Sequence, residues 1–181
     1  MNADKVFKIA LRYLRKNYIN FCFFVERDLV WIIQLCLIKI IQKFQFPYKV
    51  FYNYSFEKNE FVDLVILNEN GFVEVAAEFK YEPSHKRKDI PESRFPVCSW
   101  NEICKDVKRA QELINNKKVK IAYAILIDEG GYWYSKKNKK CFSVGEWINW
   151  KNDIWVHIVR ISLDEEVKIG DKKSSIKEYF L

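Results

Sequence analysis

FVDLVILNENGFVEVAAEFK, residues 61–80, is the stretch that decides how this chain folds. Two apolar runs flank Asn70-Gly71, and both of those residues tolerate the positive φ of a tight type I′ turn. With these two as the turn, Glu69 pairs with Phe72, and counting back sets Asp63 opposite Glu78. Directly opposed residues have Cβ atoms roughly 4.5–5.5 Å apart, so two carboxylates there repel. Lys80 lies two residues beyond Glu78 and shares its face with Phe72, Glu74 and Ala76. Val73, Val75, Ala77, Phe79 and Tyr81 form the other, apolar face. Buried carboxylates are costly unless they are paired or bind a metal. An all-oxygen set of this kind suits a hard cation, Mg²⁺ or Mn²⁺. A lysine beside such an ion can hold a water or counter the charge that builds on a phosphate.

Outward from the hairpin, the chain reads as helices and strands in a definite order. Residues 3–17 carry a stripe of Val6, Phe7, Ala10, Leu11 and Leu14 at helical spacing, with most of the basic residues outside it. That helix reads either as a basic face for nucleic acid or, more simply, as the solvated face of a packed helix. A second helix spans Glu26 to Phe44 and ends before Pro47. Glu26 shares a face with Val30, Ile33 and Leu37, so it points towards the core or a cleft rim, or else complements the helix dipole. Tyr48–Phe56 is a strand. Residues 82–99 form a loop with three prolines and the cluster His85-Lys86-Arg87-Lys88. This loop could hold a phosphate backbone or be an ordinary solvated loop. A helix from Trp100 to about Asn116 follows, with Ile103, Val107, Ala110 and Ile114 as its stripe; Asp106 flanks the stripe, and Lys105 and Arg109 point further away. Val119–Asp128 is a near-continuous apolar strand, as expected when both faces are covered. Residues 132–153 read as irregular, and Ile154–Leu163 as the last strand. In the irregular part, Tyr132-Trp133-Tyr134 beside the basic run 136–140 could stack on bases, although packing at a sheet end is the simpler role.

The fold class implied is α/β, a mixed central sheet flanked by helices in a single domain. Residues 1–25 make a helical extension, 26–163 the core and 164–181 a polar tail. The net charge of +7 favours an anionic partner, with nucleic acid leading and acidic proteins or membrane surfaces left open. Five cysteines without CxxC spacing, and a start that lacks an apolar leader, read as free thiols in a reducing cytoplasm. The run Leu29–Ile41, broken by Gln34 and Lys39, is shorter than the ~20 residues of a membrane span and reads as a helix buried in the core; nucleic acid is the expected partner, and no membrane. His85 and His157 have no second histidine at ligand spacing, which argues against zinc, and His157 reads as a half-buried strand residue. No glycine-rich phosphate loop and no Gly-x-Ser-x-Gly or Cys-His signature is present.

Asp63 with Glu78-Phe79-Lys80 across a hairpin resembles the PD-(D/E)XK nuclease superfamily, and Glu26 looks like the helix-borne acid of many members. The element order from Glu26 to Leu163 is also similar to the superfamily core. The resemblance covers most of the chain and rests on few residues; Val62 stands where many members have proline. It implies a restriction-endonuclease-like core, αβββαβ plus a further strand, and Mg²⁺- or Mn²⁺-dependent hydrolysis of phosphodiester bonds in DNA. Asp63, Glu78 and the carbonyl of Phe79 would hold the ion, with Glu26 joining directly or through water. Lys80 would position the attacking water. His85, Lys86, Arg87, Lys88, Lys105 and Arg109 would contact nucleic acid, and Lys105, Asp106 and Arg109 all qualify as the polar residue of the following helix. A homodimer is permitted but not required. Two rivals remain: a nucleic-acid-binding or accessory protein that keeps the fold without turnover, and a protein-binding module whose basic loops meet an acidic partner.

Overall fold

In a computed structural model, which describes residues 1–58 and 60–163, α1 (Ala3–Asn17) lies against the centre of the sheet. Asn2 caps it by accepting the Lys5 amide, and the stripe Val6, Phe7, Ala10, Leu11 and Leu14 is buried. The packed, solvated reading of this helix is therefore the one observed. α2 (Glu26–Phe44) packs beside α1, burying Val30, Ile33 and Leu37 on the face that starts at Glu26. Asp28 fixes its start by accepting the amides of Phe24 and Val25. The reading of residues 164–181 as a polar tail lies outside the described residues.

Among the described residues six strands follow: β1 (Tyr48–Glu57), β2 (Glu60–Asn68), β3 (Val73–Glu82), β4 (Val119–Glu129), β5 (Glu146–Lys151) and β6 (Ile154–Ser162). They form one mixed sheet in the order β1-β2-β3-β4-β6-β5. Only β3 and β4 are parallel, and the connection between them carries α3 (Trp100–Asn115). Ser99 and Glu102 close a capping box at the start of α3, each satisfying the other's amide. α1 and α2 cover one face of the sheet with Phe79, Tyr81 and Tyr123, while α3 covers the other with Val65, Ala76, Ala122 and Val159. β4 is thus buried on both sides, which explains its unbroken apolar run.

The hairpin differs from the two-residue turn expected at Asn70-Gly71. Asn68 and Phe72 close it, with residues 69–71 as a three-residue loop and Gly71 at φ +78°. The Asn68 side chain accepts the amides of Asn70 and Phe72, which favours the longer loop. That turn alone would slip the register by one residue. A bulge restores it: Leu67 pairs with Val73 but Ile66 pairs with Val75, so Glu74 is the extra residue. Beyond the bulge the ladder runs through Leu64↔Ala77 in the expected register. Val73 consequently packs with the α3-side cluster rather than with Val75, and Glu74 turns to Asn68 instead of joining Glu78.

Three further departures concern the second half. β5 occupies part of the region read as irregular; it pairs with β6 through a tight turn at Asn152 and Asp153, with Asn152 at φ +47°. His157 is fully buried in β6, not half-buried, and burial holds its pKa down at about 4, so it stays neutral. Cys104 and Cys141 form a disulfide, so not all five thiols are free.

Two glycines with positive φ, Gly71 in the hairpin loop and Gly145 just before β5, make a test of the backbone. A Cβ on Gly71 meets nothing within 4 Å, whereas one on Gly145 (φ +87°) would stand 2.4 Å from the Ile158 carbonyl oxygen. Gly71→Ala should cost only the left-handed backbone, about 1 kcal/mol. Gly145→Ala should cost several times as much, read as the difference between the two in urea-unfolding midpoints.

Candidate active site

The β2–β3 ladder ends at Leu64↔Ala77, while β3 stays paired with β4 as far as Glu82. Past that point the two strands part. The Phe79 amide, left without a backbone partner on β2, donates to Asp63 Oδ2 at 2.7 Å. Phe79 buries its ring in the core and offers its main chain to the site, for its carbonyl accepts from Lys80 Nζ at 3.1 Å.

Lys80 Nζ lies 3.1 Å from Glu26 Oε2 and 3.2 Å from Asp106 Oδ2. The Asp106 contact lacks the angle of a hydrogen bond, which leaves that buried oxygen without a directed donor. Arg109 Nη1 donates to Glu78 Oε1 and to the Phe61 carbonyl, both at 2.8 Å. Four carboxylates, from α2, β2, β3 and α3, thus meet around two cations. The ion-pair partners of Lys80 come from α2 and α3, outside the hairpin.

The electrostatics follow from that imbalance. Water reaches only 5% of the Glu78 side chain. A hydrogen bond to a charged partner contributes about 1.5–3 kcal/mol, whereas burying one carboxylate costs several kcal/mol. Arg109 therefore offsets only part of the cost. Burial, and then the charge of Asp63, push the Glu78 carboxyl up to about 8. Glu26 keeps 35% of its side chain accessible and is raised less, to about 7, by burial against the pull of Lys80. Burial also raises Asp106. It works against the Lys80 ammonium as well, but Asp106, Glu26 and Asp63 together hold that pKa above the ordinary lysine value. One cation shared among several carboxylates remains charged even though it cannot keep each of them ionised.

The loop after β3 fixes the frame. Glu82, fully buried, accepts from the amides of Val97 and Cys98, from Cys98 Sγ, and contacts His85 Nε2 at 2.7 Å. The His85 ring sits between Phe95 and Tyr132. Arg87 donates to the Phe23 carbonyl and the Tyr81 hydroxyl and pairs with Asp89, which ties the loop to the segment that leads into Glu26. His85 and Arg87 therefore serve the loop's own structure, while Lys86, Lys88 and Lys105 stand exposed.

Glu26, Asp63, Glu78 and Lys80 converge as their spacing suggested. Arg109 does not point away: it turns in to Glu78. Its signal in the sequence was its place three residues after Asp106, which puts the two on one side of α3. Among the described residues no group of three or more His, Cys, Asp or Glu is arranged to hold a metal ion as it stands, for Lys80 and Arg109 take up the carboxylate oxygens. The donor set itself, all oxygen with acids outnumbering cations, is chemically suited to Mg²⁺ or Mn²⁺. No family model, no curated protein and no solved structure matches the chain.

The raised carboxyls carry a pH signature. Between its ordinary 4.5 and about 8, folded Glu78 holds a proton that the unfolded chain has released. The associated stability is fully present below 4.5 and is lost as pH rises through about 8. Glu26 adds a decline that ends near 7. Without added metal, wild-type denaturation midpoints should fall from about pH 5 to about pH 9, and Glu78→Gln should remove the upper part of that fall. A wild-type midpoint that rises over the interval would contradict the assignment.

Proposed function

We propose that the chain is a metal-dependent nuclease of the PD-(D/E)XK kind, hydrolysing phosphodiester bonds in DNA. The observation that carries the reading is the meeting of Glu26, Asp63, Glu78 and Asp106 around Lys80 and Arg109, at the place where β2 parts from β3. Folding alone gains nothing from four acids there. The element order α2, β1–β3, α3, β4, with β3 and β4 parallel, supports a restriction-endonuclease-like core. The net charge of +7 supports an anionic substrate.

In this reading Asp63, Glu78 and the Phe79 carbonyl hold Mg²⁺ or Mn²⁺, with Glu26 at the rim. The ion supplies Lewis-acid polarisation of the phosphoryl group and acidifies water. Lys80 orients the attacking water through its ammonium protons and counters the charge that builds on the phosphate. Glu26 and Asp106 aim Lys80, and Arg109 adds a second cation at Glu78. Among the described residues no helix is long and apolar enough to cross a membrane. A cytoplasmic setting belongs to the proposal, although the Cys104–Cys141 bond is of a kind that a reducing compartment opens. No step needs a second copy of the chain.

The accessory reading draws on the same contacts, since Lys80 and Arg109 already occupy the carboxylates. Activity separates the two. Asp63→Asn, Glu78→Gln and Lys80→Gln should each lower cleavage of a plasmid or oligonucleotide by at least about 10²-fold, with circular dichroism unchanged. Chelation should abolish cleavage, and added Mg²⁺ or Mn²⁺ should restore it. Full cleavage by all three variants sinks the nuclease reading; calorimetry that detects no Mn²⁺ binding, with no cleavage by the wild type, favours the accessory one.

A further inference from the structure

The basic run 136–140 has no part in the chemistry above, and its setting is unusual. Lys136 lies 3.5 Å from the centroid of the Tyr132 ring, Lys137 4.2 Å from that of Tyr134, and Lys139 4.5 Å from that of Trp100. Lys137 Nζ also donates to the Tyr134 hydroxyl. Three ammonium groups are thus held over rings instead of waving in solvent, an arrangement of about 0.5–1 kcal/mol per exposed pair. Among the described residues, none of Lys136, Lys137, Lys139 and Lys140 has a carboxylate within ion-pair distance, in contrast to Lys8, Lys80, Lys108, Lys118 and Lys120. Ordered, exposed and unneutralised positive charge is what an anion requires of a surface.

The aromatic groups are not available for stacking on bases. Trp133 is buried, Tyr132 lies between His85 and Lys136, and Tyr134 is stacked on Trp155 at 3.5 Å. What the loop presents is charge, and charge reads phosphates rather than sequence. Its position relative to the candidate site is set twice. Lys139 sits over Trp100, the first residue of α3, and the Cys104–Cys141 bond fastens the end of the run to the same helix. Asp106 lies six residues along α3 from Trp100, about 9 Å at 1.5 Å per residue. That is two or three nucleotide steps of a strand advancing about 3.4 Å per phosphate.

We propose that Lys137 and Lys139, steadied by the aromatic groups beneath them, and Lys140, held next to the bond from Cys141 to α3, form a track for the phosphates of a nucleic-acid strand running from the candidate active site, held without regard to its sequence. The inference rests on the nuclease reading of that site.

Its test is binding, not cleavage. Anisotropy of labelled duplex oligonucleotides of two unrelated sequences is measured on the intact protein without divalent metal, between about 50 and about 200 mM salt. Each lost phosphate contact lowers the salt slope by about 0.9. The variant Lys137→Gln/Lys139→Gln/Lys140→Gln should lose two to three contacts' worth of slope and at least tenfold in affinity, equally for both sequences. The matching Lys→Arg triple, which keeps charge and ring contact, should bind as wild type. Lys43→Gln/Lys49→Gln, on exposed lysines away from the loop, should leave the slope unchanged. Wild-type slope and affinity in the Gln triple overturn the track while the nuclease reading stands. A triple that loses only its binding to phosphatidylserine vesicles overturns the track in favour of a membrane surface. A wild type that binds no oligonucleotide removes the nucleic-acid reading and the track together.

Discussion

Glu78 is buried beside Asp63, and much of the architecture around it answers the electrostatic cost of that placement. Arg109 reaches across from α3 to Glu78, and the Phe79 amide turns to Asp63 instead of to a strand neighbour. Lys80 bridges Glu26 and Asp106, which pins α2 and α3 to the same strand although they cover opposite faces of the sheet. Even so, the balance stays short of positive charge, and the carboxyl groups respond by holding protons more tightly. The same shortage makes the site receptive to a divalent cation in the proposed chemistry.

The parallel pair β3–β4 is the mechanical counterpart of this arrangement. It lies in the middle of the sheet and is the last pairing that β3 keeps as it passes the candidate site. β2 is free to diverge because β3 is held from its other side. Both walls of the opening between β2 and β3 are therefore held from outside, β3 by β4 and β2 by β1, while the pairing between them has ended.

The local signals in the sequence were clear where chemistry and periodicity agreed. The bounds of α2 and the apolar stripe of α1 could be read directly, because the burial pattern there repeats over several turns. Asp63 opposite Glu78 was also legible, though for a reason only partly correct: a three-residue turn and a bulge at Glu74 each shift the register, and they cancel. Nothing in the local pattern distinguishes that pair of departures from none. Arg109 was misjudged because helical spacing places a Cβ, not the end of a long flexible side chain. β5 was hidden by its length and by the lysines and asparagines around it, and it becomes a strand only by pairing with β6. The Cys104–Cys141 bond joins residues brought together by tertiary packing alone, 37 positions apart.

Glu82 has a consequence of a different order. By gathering Val97, Cys98 and His85 onto one buried carboxylate, it closes the base of the loop between β3 and α3 independently of what lies in between. α3 is then delivered to the sheet from a fixed starting point. Within that loop Arg87, Ile90 and Phe95 are themselves anchored, and it is the exposed turn at Pro91–Arg94 that is released from metric duty: it can change length while Lys80, Asp106 and Arg109 keep their mutual geometry. A search template that fixes the number of residues between the strand and helix halves of such a site would be too strict by the length of that exposed turn.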